Sequence, residues 1–149
     1  MPLRILVADD NPSVVQMVRT LLELQGFEIV GLAADGSEAV ALAQTMRPDV
    51  AVLDLDMPQV NGLDAARQLR AVCPATHLIL LSAYSTQELV VSAFRTGIRG
   101  YVVKSDSTDD LVRAIREVSR GGIFLSPSAS RFVVVEYLPP TDRGPGDAR

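Results

Sequence analysis

Val50-Ala51-Val52-Leu53-Asp54-Leu55-Asp56-Met57-Pro58 is the stretch on which the reading of this chain turns. Four apolar residues lead into an aspartate, and a Met-Pro turn follows at once. A strand buried on both faces reads as a continuous apolar run, and open α/β sheets place their sites outside the carboxyl ends of such strands. Asp54 is then the carboxylate that a buried strand delivers to the sheet edge, and it is the candidate reactive residue.

The pattern extends outward in both directions. Toward the N-terminus, Ile5 to Ala8 reads as a short strand that ends at Asp9-Asp10. Asn11-Pro12 supplies a helix cap and a first-turn proline, and Val14, Met17 or Val18, and Leu21 recur at helical spacing up to Gly26. Phe27 to Ala33 is β-rich, Asp35-Gly36 turns the chain, and Ala39, Leu42, Ala43 and Met46 line a helix that stops before Pro48. Toward the C-terminus, Asn61-Gly62 opens a helix with Leu63, Ala66 and Leu69 inward, and Pro74 closes it. His77 to Ser82 is a fourth strand, Glu88 to Thr96 a helix, and Gly100 to Lys104 a fifth strand. Ser107 caps a last helix through Leu111, Ile115 and Val118. This strand–helix alternation predicts a parallel sheet covered by helices on both faces, with right-handed crossovers.

After Gly121-Gly122 the rhythm is lost. Residues 1–122 are expected to form one α/β domain and 123–138 a C-terminal extension with a short helix near 127–138. The β-rich run Phe132-Val133-Val134-Val135 leaves a strand or a partner-dependent segment open there. Pro139-Pro140 through Pro145-Gly146 reads as a flexible linker or tail over 139–149.

With 149 residues, the chain can bury a core without disulfides or metal staples. Its 48% hydrophobic residues fall in short runs, well below the ~20 that cross a bilayer, and no signal peptide is visible at the N-terminus. A cytoplasmic protein without membrane contact is expected. Cys73 is the only cysteine, which suits a reducing compartment, and its place before Pro74 reads as a structural thiol. A net charge of -4 argues against these residues gripping nucleic acid through a basic face.

If the strands are parallel neighbours, their carboxyl ends bring together Asp9, Asp10, Asp54, Ser82 and Lys104. Carboxylates a few ångströms apart repel by roughly 4 kcal/mol per pair at an effective dielectric near 20, so such a site calls for a cation. Oxygen-only ligation without Cys or His favours a hard ion such as Mg²⁺. A lysine and a serine hydroxyl are suitable donors to phosphate oxygens bound to the same ion. The set looks built for a phosphoryl group on Asp54, with the metal neutralising charge during attack by the carboxylate. Taken singly, Asp9-Asp10 is a solvated turn, Lys104 a surface lysine and Ser82 a helix-flanking hydroxyl; together and in this order they make a site. His77, at the opposite sheet edge, is read as structural.

The order Asp9-Asp10, Asp54, Met57-Pro58, Gly62, Ser82-Ala83, Tyr101, Lys104 closely resembles the receiver domains of two-component response regulators, over about residues 3–120. Asp54 to Leu63, Arg99 to Lys104 and Gly121 to Pro127 look most like the NarL/LuxR-type subgroup. The resemblance implies a flavodoxin-like (βα)5 fold, a doubly wound parallel five-stranded sheet of order 2-1-3-4-5. It implies Asp54 as phosphoacceptor, Asp10 as a direct Mg²⁺ ligand, Asp9 as a ligand acting through water, and the Asp56 backbone carbonyl as a further metal ligand. Ser82 and Lys104 would contact the phosphoryl group, Tyr101 would turn inward as Ser82 moves, and Ala83 would control water access. It implies a sensor histidine kinase as partner, a homodimer on phosphorylation, and a switch surface on helix 4, strand 5 and helix 5. DNA would be bound by a C-terminal helix-turn-helix domain absent from this chain, not by this segment.

Two positions depart from the usual pattern. Asp56 adds a carboxylate beside the phosphoacceptor and is expected to alter the lifetime of the phosphoryl group by steering or repelling water. Ser105 follows Lys104 where many receivers have a cis proline, so no cis bond is expected there. The alternatives are a stand-alone receiver, a degenerate receiver used only as an interaction module, or a haloacid-dehalogenase-like phosphatase. The last would use Asp56 as its acid, but the Asp9-Asp10 pair, Met57-Pro58 and the short chain weigh against it.

Overall fold

Strand β3 (Val50–Asp54) is buried at every residue and lies at the centre of a parallel sheet. The computed structural model describes residues 2–131. Around β3 stand β1 (Arg4–Ala8), β2 (Glu28–Ala33), β4 (His77–Ser82), β5 (Gly100–Val103) and β6 (Phe124–Leu125), in the order β2-β1-β3-β4-β5-β6. The helices are α1 (Pro12–Leu24), α2 (Gly36–Met46), α3 (Gly62–Val72), α4 (Gln87–Thr96), α5 (Thr108–Ser119) and α6 (Pro127–Ser130). Each strand of the central four is apolar on both sides because each side meets helices. Leu6, Ala51, Leu53, Leu80 and Tyr101 pack with α2, α3 and α4, whereas Ile5, Val52, Ile79 and Val102 pack with α1 and α5.

The expected flavodoxin-like fold and its 2-1-3-4-5 order are found, and one correction is needed: the sheet has a sixth strand. Gly121, at φ +89, turns the chain after α5, and β6 then runs parallel to β5, pairing Phe124 with Gly100 and Leu125 with Tyr101. The amides of Phe124 and Ser126 donate to the carbonyls of Arg99 and Tyr101, at 2.9 and 3.0 Å, and so satisfy an edge that five strands would leave open. Two residues are too few for a period-two pattern to stand out in a sequence. The helix expected near 127–138 is seen as α6, which ends at Ser130. Residues 132–138, where the sequence leaves a helix, a strand or a partner-dependent segment open, and the linker over 139–149 lie outside the described residues. On α1 it is Val18, not Met17, that faces the core; Met17 is 56% exposed. No cis peptide bond occurs among the described residues, and none of their helices is long and apolar enough to cross a membrane.

The carboxyl end of β3 is held in place by a glycine. The Gly62 amide donates to the Leu55 carbonyl at 3.1 Å, and Asn61 caps α3 by accepting from the Asp64 amide at 2.9 Å. A Cβ on Gly62 would sit 2.5 Å from the Asp54 carbonyl oxygen and 2.8 Å from Leu80 Cδ1, so the helix can come this close only without a side chain. Gly62→Ala is therefore expected to lower stability by about 1–3 kcal/mol through overpacking. Urea unfolding should show a lower midpoint at unchanged slope.

Candidate functional site

Three strand ends supply the charged groups. Asp54 is the last residue of β3 and is 2% exposed. Asp9 follows β1 directly; its Oδ1 accepts the Asn11 amide at 2.9 Å, while the Asn11 side chain accepts from the Ser13 and Val14 amides to cap α1. The cap thus orients the carboxylate that precedes it. Lys104 follows β5, its amide donating to the Ser82 carbonyl at 2.7 Å. Its Nζ reaches back to Asp54 Oδ1 at 3.0 Å and to Asp9 Oδ2 at 3.2 Å. Asp10 is exposed beside them.

One carboxylate oxygen from each of Asp9, Asp10 and Asp54 can be chosen so that all lie within 4.8 Å of one another. With one ammonium among three carboxylates the edge keeps excess negative charge. Asp54 Oδ1 is buried and lacks an aligned hydrogen-bond donor although the Lys104 ammonium is near, so the lysine gives it charge without a well-directed bond. A hard divalent cation with oxygen ligands answers both deficits, and the residues present fit one. The Asp56 carboxylate is exposed and stands outside this group; only its backbone amide bears on Asp54.

Burial pushes the Asp54 carboxyl up from 3.8 to about 6, and the nearby Asp9 charge adds to this, while Lys104 and the Asp56 amide offset it in part. For Lys104, burial acts downward, but the attraction of Asp54 and Asp9 and the hydrogen bond to Asp9 outweigh it and hold the ammonium above its ordinary range.

Ser82 is fully buried at the end of β4, and its hydroxyl is turned onto the backbone of Tyr84. Its Oγ donates to the Tyr84 carbonyl at 2.7 Å and accepts the Tyr84 amide at 3.3 Å. The hydroxyl of Tyr101, also fully buried, donates to the same carbonyl at 3.0 Å. Burial raises the Tyr101 phenol, with Ser82 acting in the opposite direction. Ala83 is exposed just beyond Ser82. The structure therefore gathers Asp9, Asp10, Asp54 and Lys104 into one cluster, and joins Ser82 and Tyr101 through a shared acceptor. That acceptor, the Tyr84 carbonyl, escaped the sequence because a backbone atom leaves no residue-type signal.

The response regulator receiver domain profile matches residues 5–116, well over half of the chain. The chain belongs to the response regulator receiver domain family. Membership decides against the dehalogenase-like alternative: receiver domains are signalling proteins that take Mg²⁺ at an acidic pocket, and the aspartate cluster of this receiver has the residues for one. The receiver is 33% identical to the uncharacterized transcriptional regulatory protein YxjL of Bacillus subtilis, over 88% of this chain and 61% of that one. It is 31% identical to the chemotaxis protein CheY of Thermotoga maritima, over 78% of this chain and 98% of that one. Among solved structures, it is similar to a LuxR-family two-component response regulator from Aurantimonas sp. SI85-9A1 (TM-score 0.87, 31% identity, 93% of this chain and 100% of that one). It is also similar to the signal receiver domain of a response regulator NarL from Mycobacterium tuberculosis (TM-score 0.77, 32% identity, 80% and 98%). The receiver spans about three fifths of the length of the first transcriptional relatives it matches.

The raised pKa has a stability consequence with a definite sign. The folded receiver holds the Asp54 proton up to about pH 6, whereas the unfolded chain releases it near 3.8, so folding takes up a proton in that window. Asp54's contribution to stability therefore falls as pH rises from about 4 to 6 and is flat above. In metal-free buffer at pH 7.5, Asp54→Asn is expected to be more stable than the parent by on the order of 2 kcal/mol. That gain should vanish near pH 4, as read by urea unfolding across pH.

Proposed function

We propose that this receiver accepts a phosphoryl group on Asp54 from the phosphohistidine of a sensor histidine kinase in a Mg²⁺-dependent step. The observation that carries the reading is the buried Asp54 carboxylate, 3.0 Å from Lys104 Nζ and grouped with Asp9 and Asp10. At neutral pH a carboxyl with a pKa of about 6 is mostly ionised yet more basic than an ordinary aspartate, which favours it as a nucleophile. An Asp54 oxygen attacks phosphorus in line, the P–N bond breaks, and the imidazole leaves as a neutral group once protonated. Lys104 and the Ser82 hydroxyl bind the transferred phosphoryl oxygens; Ser82 must first leave the Tyr84 carbonyl. Mg²⁺ would be held by Asp54, Asp10, Asp9 acting through water, and the Asp56 backbone carbonyl, and would neutralise charge on the phosphoryl oxygens.

Tyr101 secures the vacated Tyr84 carbonyl, and Ala83 sets water access to the phosphoryl group. Population then shifts on the α4, β5 and α5 surface. In this proposal residues 1–122 form the signalling unit, 123–138 an extension of it, and 139–149 lead toward a DNA-binding output domain. Longer relatives named as transcriptional regulators support that output. Phosphorylation would favour a homodimer. The receiver itself would act in the cytoplasm and touch neither DNA nor membrane.

Incubation with acetyl phosphate and Mg²⁺ should give acid-stable, base-labile phosphate on the parent and none on Asp54→Asn or in EDTA. Full labelling of Asp54→Asn would contradict the assignment. In the same assay Asp56→Asn should change the dephosphorylation rate by more than twofold; a smaller change would deny Asp56 a role in steering water.

A further inference from the structure

The chain after α5 is tied to both loops that flank the phosphoryl site. Its Ser126 amide donates to the Tyr101 carbonyl and its Ser126 Oγ accepts the Val103 amide, each at 3.0 Å, so it grips β5 just before Lys104. Two residues past Lys104, the Asp106 carboxylate accepts the Ser128 amide at 3.0 Å and the Ser128 hydroxyl at 2.6 Å. These bonds hold Asp106 below the usual carboxylate range. Three residues past Ser82, the Ser85 hydroxyl donates to the Ser128 carbonyl at 3.1 Å. Ala129 is fully buried in the cluster that contains Tyr101 and Val103. Ser128 thus joins the β4–α4 loop to the β5–α5 loop, and the contacts close a ring from Lys104 through Asp106, Ser128, Ser85, Tyr84 and Ser82, whose carbonyl accepts the Lys104 amide.

We propose that the β6–α6 segment is a strap whose hold on Ser85 is released when Ser82 engages a phosphoryl group on Asp54. The proposal rests on Asp54 being the phosphoacceptor. Its physical basis is that a hydroxyl has one proton. A Ser82 hydroxyl that donates to a phosphoryl oxygen withdraws from the Tyr84 carbonyl and leaves it to the Tyr101 hydroxyl alone, so the Tyr84–Ser85 stretch loses the shorter of its two ties. The next tie along the chain is the Ser85 bond to Ser128. Because coupling between sites is reciprocal, anything that weakens the strap must favour the engaged state by the same factor.

Beryllofluoride with Mg²⁺, a phosphoryl mimic, supplies the test on the full chain. The carbonyl-carbon resonance of Ser128 in the parent should move upfield on addition of the mimic as the Ser85 hydroxyl lets go, and Ser85→Ala should bind the mimic roughly 3- to 10-fold more tightly. An unchanged Ser128 carbonyl-carbon resonance overturns the strap, provided that the Ser82 and Lys104 amide resonances shift and so report a filled site. An affinity of Ser85→Ala within 1.5-fold of the parent overturns it equally. A parent whose Ser82 and Lys104 resonances do not respond to the mimic overturns the phosphoacceptor reading, and the strap with it.

Discussion

Lys104 Nζ stands between Asp54 Oδ1 and Asp9 Oδ2, at 3.0 and 3.2 Å, where three strands of a buried sheet end. One ammonium among three carboxylates cannot neutralise the edge, and Asp54 meets the shortfall out of contact with water. An isolated buried carboxylate would protonate; here the lysine keeps the pKa to about 6, so the group stays ionised at neutral pH but remains poorly stabilised. Under the proposed phosphoacceptor role, that residual deficit is what would favour a hard cation and make the carboxylate oxygen reactive. Asp54 gives up favourable solvation, and the surrounding apolar core supplies the stability that permits it.

Much of the fold exists to maintain this placement. The parallel order puts the ends of β1, β3 and β5 on one edge, and Asp9, Asp54, Ser82 and Lys104 each lie at or directly after a strand end, where backbone bonds fix them. Lys104 is anchored through its amide to Ser82, Asp9 through Asn11, and Asp54 by the close approach of Gly62. The part that the proposed switch would move is small by comparison. Ser82 and Tyr101 share one carbonyl, that of Tyr84, so a change in one hydroxyl's partner alters the restraint on a whole loop.

Most of this arrangement was legible in the sequence for a physical reason. Central strands flanked by helices on both faces must be apolar throughout, so the runs ending in Asp9, Asp54 and Ser82 declared both the strands and the residues at their ends. The order of Asp9, Asp10, Asp54, Ser82 and Lys104 then narrowed the chemistry. What stayed hidden depends on backbone and on short elements. Strand β6 is two residues long and owes its existence to the open edge of β5, a tertiary cause. The direction of the Ser82 hydroxyl follows from the Tyr84 backbone, and the exposure of Met17 beside buried Val18 depends on the rotation of α1 against the sheet.

If the proposed role is right, Asp54 is an ionised carboxylate held in a poorly solvated setting that a divalent cation relieves. A titration of the Asp54 carboxyl carbon by NMR tests this directly, in metal-free buffer and again with Mg²⁺. The account predicts a midpoint of about 6 without metal and a clear fall when Mg²⁺ is added. An ordinary midpoint of 3.8, unmoved by Mg²⁺, would contradict it.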